Sequence, residues 1–166
     1  MIKVLFVCMG NICRSPTAQG VFERLISTEG LAHAVAADSA GTGAYHLGHP
    51  PDRRAAAAAA TRGVDLSGYR ARQVEVVDFH EFHLVLAMDR DNFAIMRAMV
   101  PPSREARLRM FLEFAPALGI DDVPDPYYGG ADGFERVLDM IEAGSRGLLA
   151  HIRAEFGESI GPAAGA

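Results

Sequence analysis

The 166-residue chain has no tryptophan and only two cysteines, Cys8 and Cys13. Two cysteines in one short segment exclude a disulfide framework, and the four residues between them are not the usual spacing of a zinc knuckle. No apolar run approaches the roughly 20 residues that span a bilayer, so we expect no membrane segment. Basic residues are also few, since 16 Lys and Arg against 21 Asp and Glu give a net charge of −5. This balance gives no indication of nucleic acid or an anionic membrane surface as a partner.

The start of the chain also lacks the basic and apolar regions of a secretory signal, because Met1 and Lys3 lead directly into a short apolar segment. We therefore expect a cytoplasmic protein, while export without an N-terminal signal stays open. We also expect a monomer. The length and the 49% of hydrophobic residues are sufficient for one globular core. We predict one domain over residues 1–156 and a flexible tail of small residues over 157–166.

The most informative stretch follows residues 2–7, whose β-branched and aromatic side chains predict a buried strand. It ends at Ser15 and Pro16, which are favourable as an N-cap and a first helical residue. The stretch is therefore a loop between a strand and a helix N-terminus, where unpaired N–H groups and the helix dipole favour an anion. Gly10 and Asn11 can adopt the unusual φ values that turn successive N–H groups inward.

Cys8 and Arg14, separated by five residues, lie at the two ends of this predicted anion site. A thiol beside a helix N-terminus and a guanidinium favours the thiolate form, and Ser15 can donate a hydrogen bond to it. The planar guanidinium can hold two oxygens of a tetrahedral oxyanion. This pattern predicts phosphoryl transfer to Cys8. The alternative is a buried structural Cys8 with Arg14 at the surface.

A phosphoryl-transfer site also needs an acid that protonates the leaving oxygen, and four aspartates are candidates by position: Asp89, Asp121, Asp122 and Asp125. Pro126 stiffens the backbone at Asp125. A partly buried acid near the phosphate can donate a proton and later act as a base for water. We interpret Asp121 and Asp122 as solvated charges, and a solvated Asp125 stays open from the sequence alone.

The chain alternates between apolar strand-like and helix-like segments, which predicts an α/β fold with a four-stranded parallel sheet and helices on both faces. We predict strands over residues 2–8, 34–38, 82–88 and 109–114. We predict helices over residues 16–28, about 50–63, 90–99 and 134–156, with a loop over 119–133. Because the carboxyl ends of parallel strands meet at one edge of a sheet, we expect four side chains to gather there: Cys8, Ser39, Asp89 and Asp125.

One segment resembles the phosphate loop of the low-molecular-weight protein tyrosine phosphatases: Cys8-Met9-Gly10-Asn11-Ile12-Cys13-Arg14-Ser15-Pro16. Residues 38–42, 71–73, 88–89 and 125–129 resemble later stretches of that family in the same order. The resemblance covers about residues 2–156. It implies a flavodoxin-like three-layer sandwich without a metal or cofactor. It also implies hydrolysis of phosphotyrosine in proteins through a cysteinyl-phosphate, with Cys8 as nucleophile, Arg14 as phosphate clamp and Asp125 as general acid and base.

The resemblance implies further roles. Phosphate or another oxyanion would bind the loop residues Met9, Gly10, Asn11, Ile12, Cys13 and Ser15, and the walls of the slot would include Tyr45, Tyr127 and Tyr128. Tyr45 would tune substrate choice, and the other two tyrosines resemble positions that can be phosphorylated. Asn11 and Ser39 would hold the loop by hydrogen bonds.

Several roles stay open. Cys13 is either a small buried residue or a reversible disulfide partner that protects Cys8 from over-oxidation. Arg72 and Asp89 either support the loop or form ordinary surface charges or ion pairs. Tyr69 stands where many family members carry a His that hydrogen-bonds the loop network; a phenol can replace that contact but cannot be a cation.

Alternative functions differ from this one in the residues that they need. Phosphoarginine phosphatases have a similar loop but typically carry Thr where Ile12 stands, and arsenate reductases of this type need further cysteines. A non-catalytic phosphate-binding module or a flavin-binding carrier would not need the combination of Cys8, Arg14 and Asp125. The pair His80 and His83 lacks a third ligand, so we expect no metal site. We expect the other histidines, including His46, at the surface.

Overall fold

The computed structural model describes residues 1–126, 130 and 132–165. Its four strands form one all-parallel sheet in the order β2-β1-β3-β4, which confirms the predicted α/β class. The strands are β1 (Ile2–Cys8), β2 (Val35–Gly41), β3 (Leu84–Ala87) and β4 (Leu108–Met110). The α-helices are α1 (Arg14–Thr28), α2 (Arg53–Thr61), α3 (Asp78–Glu81), α4 (Arg90–Arg97) and α5 (Gly133–Ile160). Short 3-10 helices cover Pro102–Arg107, Phe111–Phe114 and Pro116–Leu118.

Strand β1 is central and is buried on both faces, which explains its nearly continuous apolar sequence. Alternate side chains such as Phe6 enter a cluster under α1 and α5, where the ring of Phe6 packs edge-on against Phe22 and Phe111. The intervening residues, Leu5 and Val7, enter a second cluster on the side of α3 and α4. The sheet is therefore covered by helices on both faces, and its carboxyl edge carries the loop that follows Cys8.

The predicted fourth strand over residues 109–114 is wrong in its second half, because Phe111–Phe114 form a 3-10 helix. Phe111 and Leu112 are consecutive, and both enter the cluster under α1 and α5. A strand would point them to opposite faces, so the chain leaves the sheet at Met110. The second strand is longer than predicted and reaches Gly41.

The predicted end of the last helix at residue 156 is also wrong. Helix α5 continues to Ile160, whose side chain is only 5% exposed in the core cluster. The amide of Ala164 donates a 2.8 Å hydrogen bond to the carbonyl oxygen of Gly30. The prediction of a flexible tail from residue 157 is therefore wrong for the last helical turn, residues 157–160; the single-domain boundary stays a prediction. In the part of the chain that the structure describes, no helix is long and apolar enough to cross a membrane.

Candidate active site

The loop between β1 and α1 is held by Asn11, the only non-glycine residue with a positive φ (55°) in the described ranges. Its side-chain amide donates to Ser15 Oγ at 2.8 Å and to Ser39 Oγ at 2.9 Å. Its Oδ1 accepts from the backbone N–H of Arg72 at 2.9 Å. These are the loop-holding hydrogen bonds expected for Asn11 and Ser39, and they fix a residue in a left-handed conformation that costs free energy.

The sulfur of Cys8 has two polar neighbours in the loop. The backbone N–H of Asn11 donates to Sγ at 3.3 Å, and Ser15 Oγ lies 3.0 Å from Sγ. Both groups are therefore within hydrogen-bonding distance of the sulfur. The sequence predicted Ser15 as the helix N-cap, which is wrong: α1 begins at Arg14 with Cys13 as N-cap. The Ser15 hydroxyl instead faces Cys8 and Asn11.

Arg14 turns into the same site and is only 5% exposed. Its Nη1 donates to Asp89 Oδ2 at 2.6 Å and to the carbonyl oxygen of Val123 at 3.0 Å. Burial opposes the charged form, but Cys8 and Asp89 outweigh it and raise the pKa of Arg14. Arg14 is therefore a fixed cation at this edge, and Asp89 contacts it directly.

The loop surrounds a cavity of about 270 Å³, near the lower end of the range for small-molecule sites. Its lining residues are Cys8, Met9, Gly10, Ile12, Cys13, Arg14, His46 and Asp125. The nucleophile and cation candidates of one loop therefore meet the acid candidate from a distant part of the sequence at one opening. The reading of Cys8 as purely structural does not fit, because both Cys8 and Arg14 line this cavity.

Two residues lie elsewhere than expected. Tyr45 does not belong to the lining and is 74% exposed. His46, expected at the surface, lines the cavity, and its ring would lie 2.9 Å from a Cβ added to Gly10. The sequence could have indicated His46 as a lining residue, because it directly follows Tyr45, which was expected at the slot. Tyr127 and Tyr128 lie outside the described residues.

The end of strand β2 at Gly41 packs against the loop. Gly41 was not predicted as a site residue from the sequence. The amides of Thr42 and Gly43 donate to the carbonyl oxygens of Cys8 and Met9 at 2.8 and 3.0 Å. A Cβ on Gly41 would lie 2.7 Å from the carbonyl oxygen of Met9. The close approach of two backbones therefore requires glycine here.

Arg72 has both of the expected roles, an ion pair and support of the loop, and each role belongs to a different part of the residue. Its guanidinium pairs with Asp38 and Asp78, each at 3.1 Å, whereas its backbone N–H holds Asn11. Burial acts to lower the pKa of Arg72, but the carboxylates of Asp78 and Asp38 outweigh burial and raise that pKa. The side chain is thus an ion pair, and the main chain supports the loop.

Cys13 is 8% exposed, and its carbonyl oxygen accepts from Thr17 Oγ1 at 2.6 Å. Burial, with smaller contributions from Asp52 and Cys8, raises the pKa of Cys13 to about 12. It is therefore a neutral thiol near pH 7. Within the described ranges, no three His, Cys, Asp or Glu side chains form a cluster that could hold a metal ion.

Comparison with known proteins gives a consistent result. Residues 3–158 match the family model described as low molecular weight phosphotyrosine protein phosphatase. A low molecular weight protein-tyrosine-phosphatase of Streptomyces coelicolor is 46% identical over 156 residues, which cover 92% of this chain and 94% of that protein.

Solved structures agree with the sequence comparison. The crystal structure of YfkJ from Bacillus subtilis is 40% identical, with a TM-score of 0.89 over 94% of this chain and 97% of that chain. A protein tyrosine phosphatase of Entamoeba histolytica with Hepes in the active site is 37% identical, with a TM-score of 0.88 over 95% and 99% of the two chains.

Proposed function

Because the chain belongs to the low molecular weight phosphotyrosine protein phosphatase family, we propose that its Cys8 cavity hydrolyses phosphotyrosine in proteins. The observation that carries this proposal is the convergence of Cys8, Arg14 and Asp125 on one cavity. The apolar side chains of Met9 and Ile12 line the same opening and suit a flat aromatic ring. A phosphorus atom bound over the sulfur would place the tyrosine oxygen toward Asp125.

The first step forms a bond between Cys8 Sγ and phosphorus and breaks the bond between phosphorus and the tyrosine oxygen. Asp125 gives its proton to that oxygen, so tyrosine leaves neutral. The loop N–H groups and Arg14 hold the equatorial oxygens, where negative charge must be stabilised. Asn11 and Ser39 keep those N–H groups in place.

In the second step water attacks the cysteinyl-phosphate, and the Asp125 carboxylate accepts a proton from that water. Inorganic phosphate leaves, Cys8 returns to the thiolate, and Asp125 is again protonated. Neither step requires a redox change or a further co-reactant. The Hepes molecule in the Entamoeba histolytica relative carries a sulfonate, which supports an oxyanion site in this family.

The partners of this proposal are phosphotyrosine-containing proteins and, as product, inorganic phosphate. A cytoplasmic monomer remains our expectation, with export by a route without an N-terminal signal left open. The phosphoarginine alternative is not favoured, since the named relatives are tyrosine phosphatases and Ile12 stands where Thr is typical of that activity.

The test compares purified wild type, Cys8→Ser and Cys13→Ser on matched phosphotyrosine, phosphoserine and phosphoarginine peptides in the presence of a metal chelator. We expect wild type to release phosphate from the phosphotyrosine peptide with strong preference and Cys8→Ser to release none. Acid quenching during turnover should trap one phosphate on Cys8, located by mass spectrometry. Equal turnover by Cys8→Ser, or a preference for phosphoarginine, would overturn the proposal.

A further inference from the structure

A continuous line of hydrogen bonds connects Tyr69, which is half-buried, to the sulfur of Cys8. The Tyr69 hydroxyl donates to Glu23 Oε2, and Glu23 Oε1 accepts from Gln19 Nε2 at 3.0 Å. Gln19 Oε1 accepts from the Ser39 hydroxyl at 2.8 Å. Through Asn11 and Ser15 the line then reaches Cys8. The sequence had suggested that Tyr69 hydrogen-bonds the loop network directly. Instead, two residues of α1 that the sequence did not single out, Gln19 and Glu23, connect Tyr69 to that network.

The donor and the acceptor of each hydrogen bond in this line are determined by two groups at its ends: a carboxylate, which can only accept, and a backbone N–H, which can only donate. A carboxylate only accepts, so Glu23 requires Gln19 to present its NH₂ group, which turns the Gln19 oxygen toward Ser39. Ser39 then donates to Gln19 and accepts from Asn11.

Asn11 and Ser15 have fixed donor directions for the same reason. The Arg72 amide N–H requires Asn11 to present Oδ1 to it, so the NH₂ group of Asn11 faces both Ser39 and Ser15. Ser15 Oγ accepts that bond, which leaves its own proton for Cys8 at 3.0 Å or for the Ala40 carbonyl at 3.3 Å. The shorter bond is the one that stabilises a thiolate.

We propose that Glu23, acting through Gln19, is a positioning residue that orients the Ser39 hydroxyl and so, together with the Arg72 amide, holds Asn11 and Ser15 in the arrangement in which Ser15 donates to Cys8. The inference rests on the proposed role of Cys8 as nucleophile. If Glu23 lost its charge, Gln19 could turn its NH₂ group toward Ser39. The Ser39 hydroxyl would then lose the Gln19 oxygen as acceptor for its proton, and Asn11, although still held by the Arg72 amide, would lose a fixed partner at Ser39.

The surroundings of this relay favour a fixed orientation. Gln19 and Ser39 are buried, at 7% and 5% exposure, so water does not readily replace either partner. Burial and the Glu23 carboxylate raise the pKa of Tyr69, so its hydroxyl stays a donor. Gln19 and Glu23 are four residues apart on α1, where side chains of one helical face meet.

The test measures thiolate formation at Cys8 separately from phosphatase turnover. In a Cys13→Ser background Cys8 is the only thiol, and its alkylation by iodoacetamide is followed as a function of pH with mass-spectrometric identification. We expect Glu23→Gln to move the midpoint of this profile upward by about 0.5 to 1 pH unit, or about 3- to 10-fold less thiolate below the midpoint. Tyr69→Phe keeps the carboxylate charge and should move it less, in the same direction.

The sign of the shift decides the question. Through-space electrostatics alone predicts the opposite, because removal of a negative charge stabilises a nearby thiolate. Glu29→Gln, at the end of α1, makes the same charge change outside the relay and should leave the midpoint unchanged. A downward or absent shift in Glu23→Gln would overturn the inference. An upward shift in a protein without phosphotyrosine activity would overturn only the proposed function.

Discussion

Arg14 Nη1 donates a 2.6 Å hydrogen bond to Oδ2 of Asp89, while Oδ1 of the same carboxylate accepts from the amide of Asn92 at 2.7 Å. One carboxylate therefore caps helix α4 and fixes the guanidinium at the cavity. Among the described residues, both protein bonds of this guanidinium come from Nη1, which leaves Nε and Nη2 for a bound oxyanion. Arg14 is thus oriented before substrate arrives, which avoids ordering it in the transition state.

Asp89→Asn separates the two functions of that carboxylate. The amide oxygen can still accept from Asn92, but the NH₂ group now faces Arg14 and cannot accept its bond. We expect kcat/KM for an aryl phosphate to fall by about 10- to 100-fold, because a hydrogen bond to a charged group contributes about 1.5–3 kcal/mol. Steady-state kinetics with phosphotyrosine peptide measures this loss.

The matched control is Asp122→Asn, which removes a more exposed carboxylate paired with Arg90. It should change kcat/KM less than about twofold, since surface pairs contribute little. If both variants behaved alike, the Asp89 carboxylate would not be needed to orient Arg14.

Asp125→Asn tests the proposed acid. The amide cannot give a proton to the leaving oxygen, so we expect kcat/KM, which covers only the steps through release of the phenol, to fall by about 100-fold or more with phenyl phosphate, whose leaving group is basic. The loss should be much smaller with p-nitrophenyl phosphate, which leaves readily without a proton. Asp121→Asn, in the exposed part of the same loop, serves as control. Equal losses on the two substrates would indicate that Asp125 only positions the phosphate.

The loop between β1 and α1 could be predicted from the sequence because its functional residues are close together in the chain. Cys8, Arg14 and the turn at Asn11 lie within one short segment, and strand-end geometry brings Asp89, just after β3, to the same edge. The parallel sheet followed from the alternation of strands and helices. These features depend on neighbours in sequence or on the general topology of α/β sheets.

Features that depend on particular tertiary contacts were missed. Ser15 has the sequence of an N-cap, but its hydroxyl is taken by Cys8 and Asn11. Phe111 begins a 3-10 helix because the core accepts it and its neighbour on one face. Tyr69 donates to Glu23, and Gln19 connects Glu23 to Ser39. Such tertiary contacts cannot be recognised from a local sequence pattern.

Gly41→Ala should disturb the loop without touching a charged group. Its Cβ would lie 2.7 Å from the carbonyl oxygen of Met9 and 3.2 Å from the amide nitrogen of Asn11, so the loop must move. We expect kcat/KM to fall at least about 10-fold, because small displacements of catalytic groups are costly. Gly68→Ala is the matched control, since no heavy atom lies within 4 Å of its added Cβ. Full activity in Gly41→Ala would show that the loop tolerates displacement.

Cys13→Ser tests the redox reading. Peroxide oxidises the Cys8 thiolate to a sulfenic acid; the neutral Cys13 thiol can then form a disulfide with it and release water. We expect peroxide-treated wild type to lose two hydrogen atoms in its intact mass and to recover activity with dithiothreitol. Cys13→Ser should add oxygen atoms instead and recover several-fold less activity. Equal recovery would support Cys13 as a small buried residue and nothing more.

His83 links the start of β3 to β1 in a way that depends on pH. Its Nδ1 accepts from the Lys3 amide at 3.0 Å, and its own amide donates to the Lys3 carbonyl oxygen at 2.9 Å. Burial, with the positive charges of Arg107, the N-terminus and Lys3, lowers the pKa of His83 below its usual 6.5. The unfolded chain therefore binds this proton more readily than the folded protein does.

It follows that the contribution of His83 to stability is complete above about pH 6.5 and is lost as the pH falls through the lower folded-state pKa. We expect the loss to be about 1 kcal/mol in the free energy of unfolding, the contribution of one hydrogen bond. Urea unfolding between about pH 7.5 and pH 5 measures it. His83→Asn, whose Oδ1 can accept from Lys3 at any pH, should flatten this part of the profile, whereas His33→Asn at an exposed site should not. An unchanged slope in His83→Asn would mean that protonation of other groups controls acid stability.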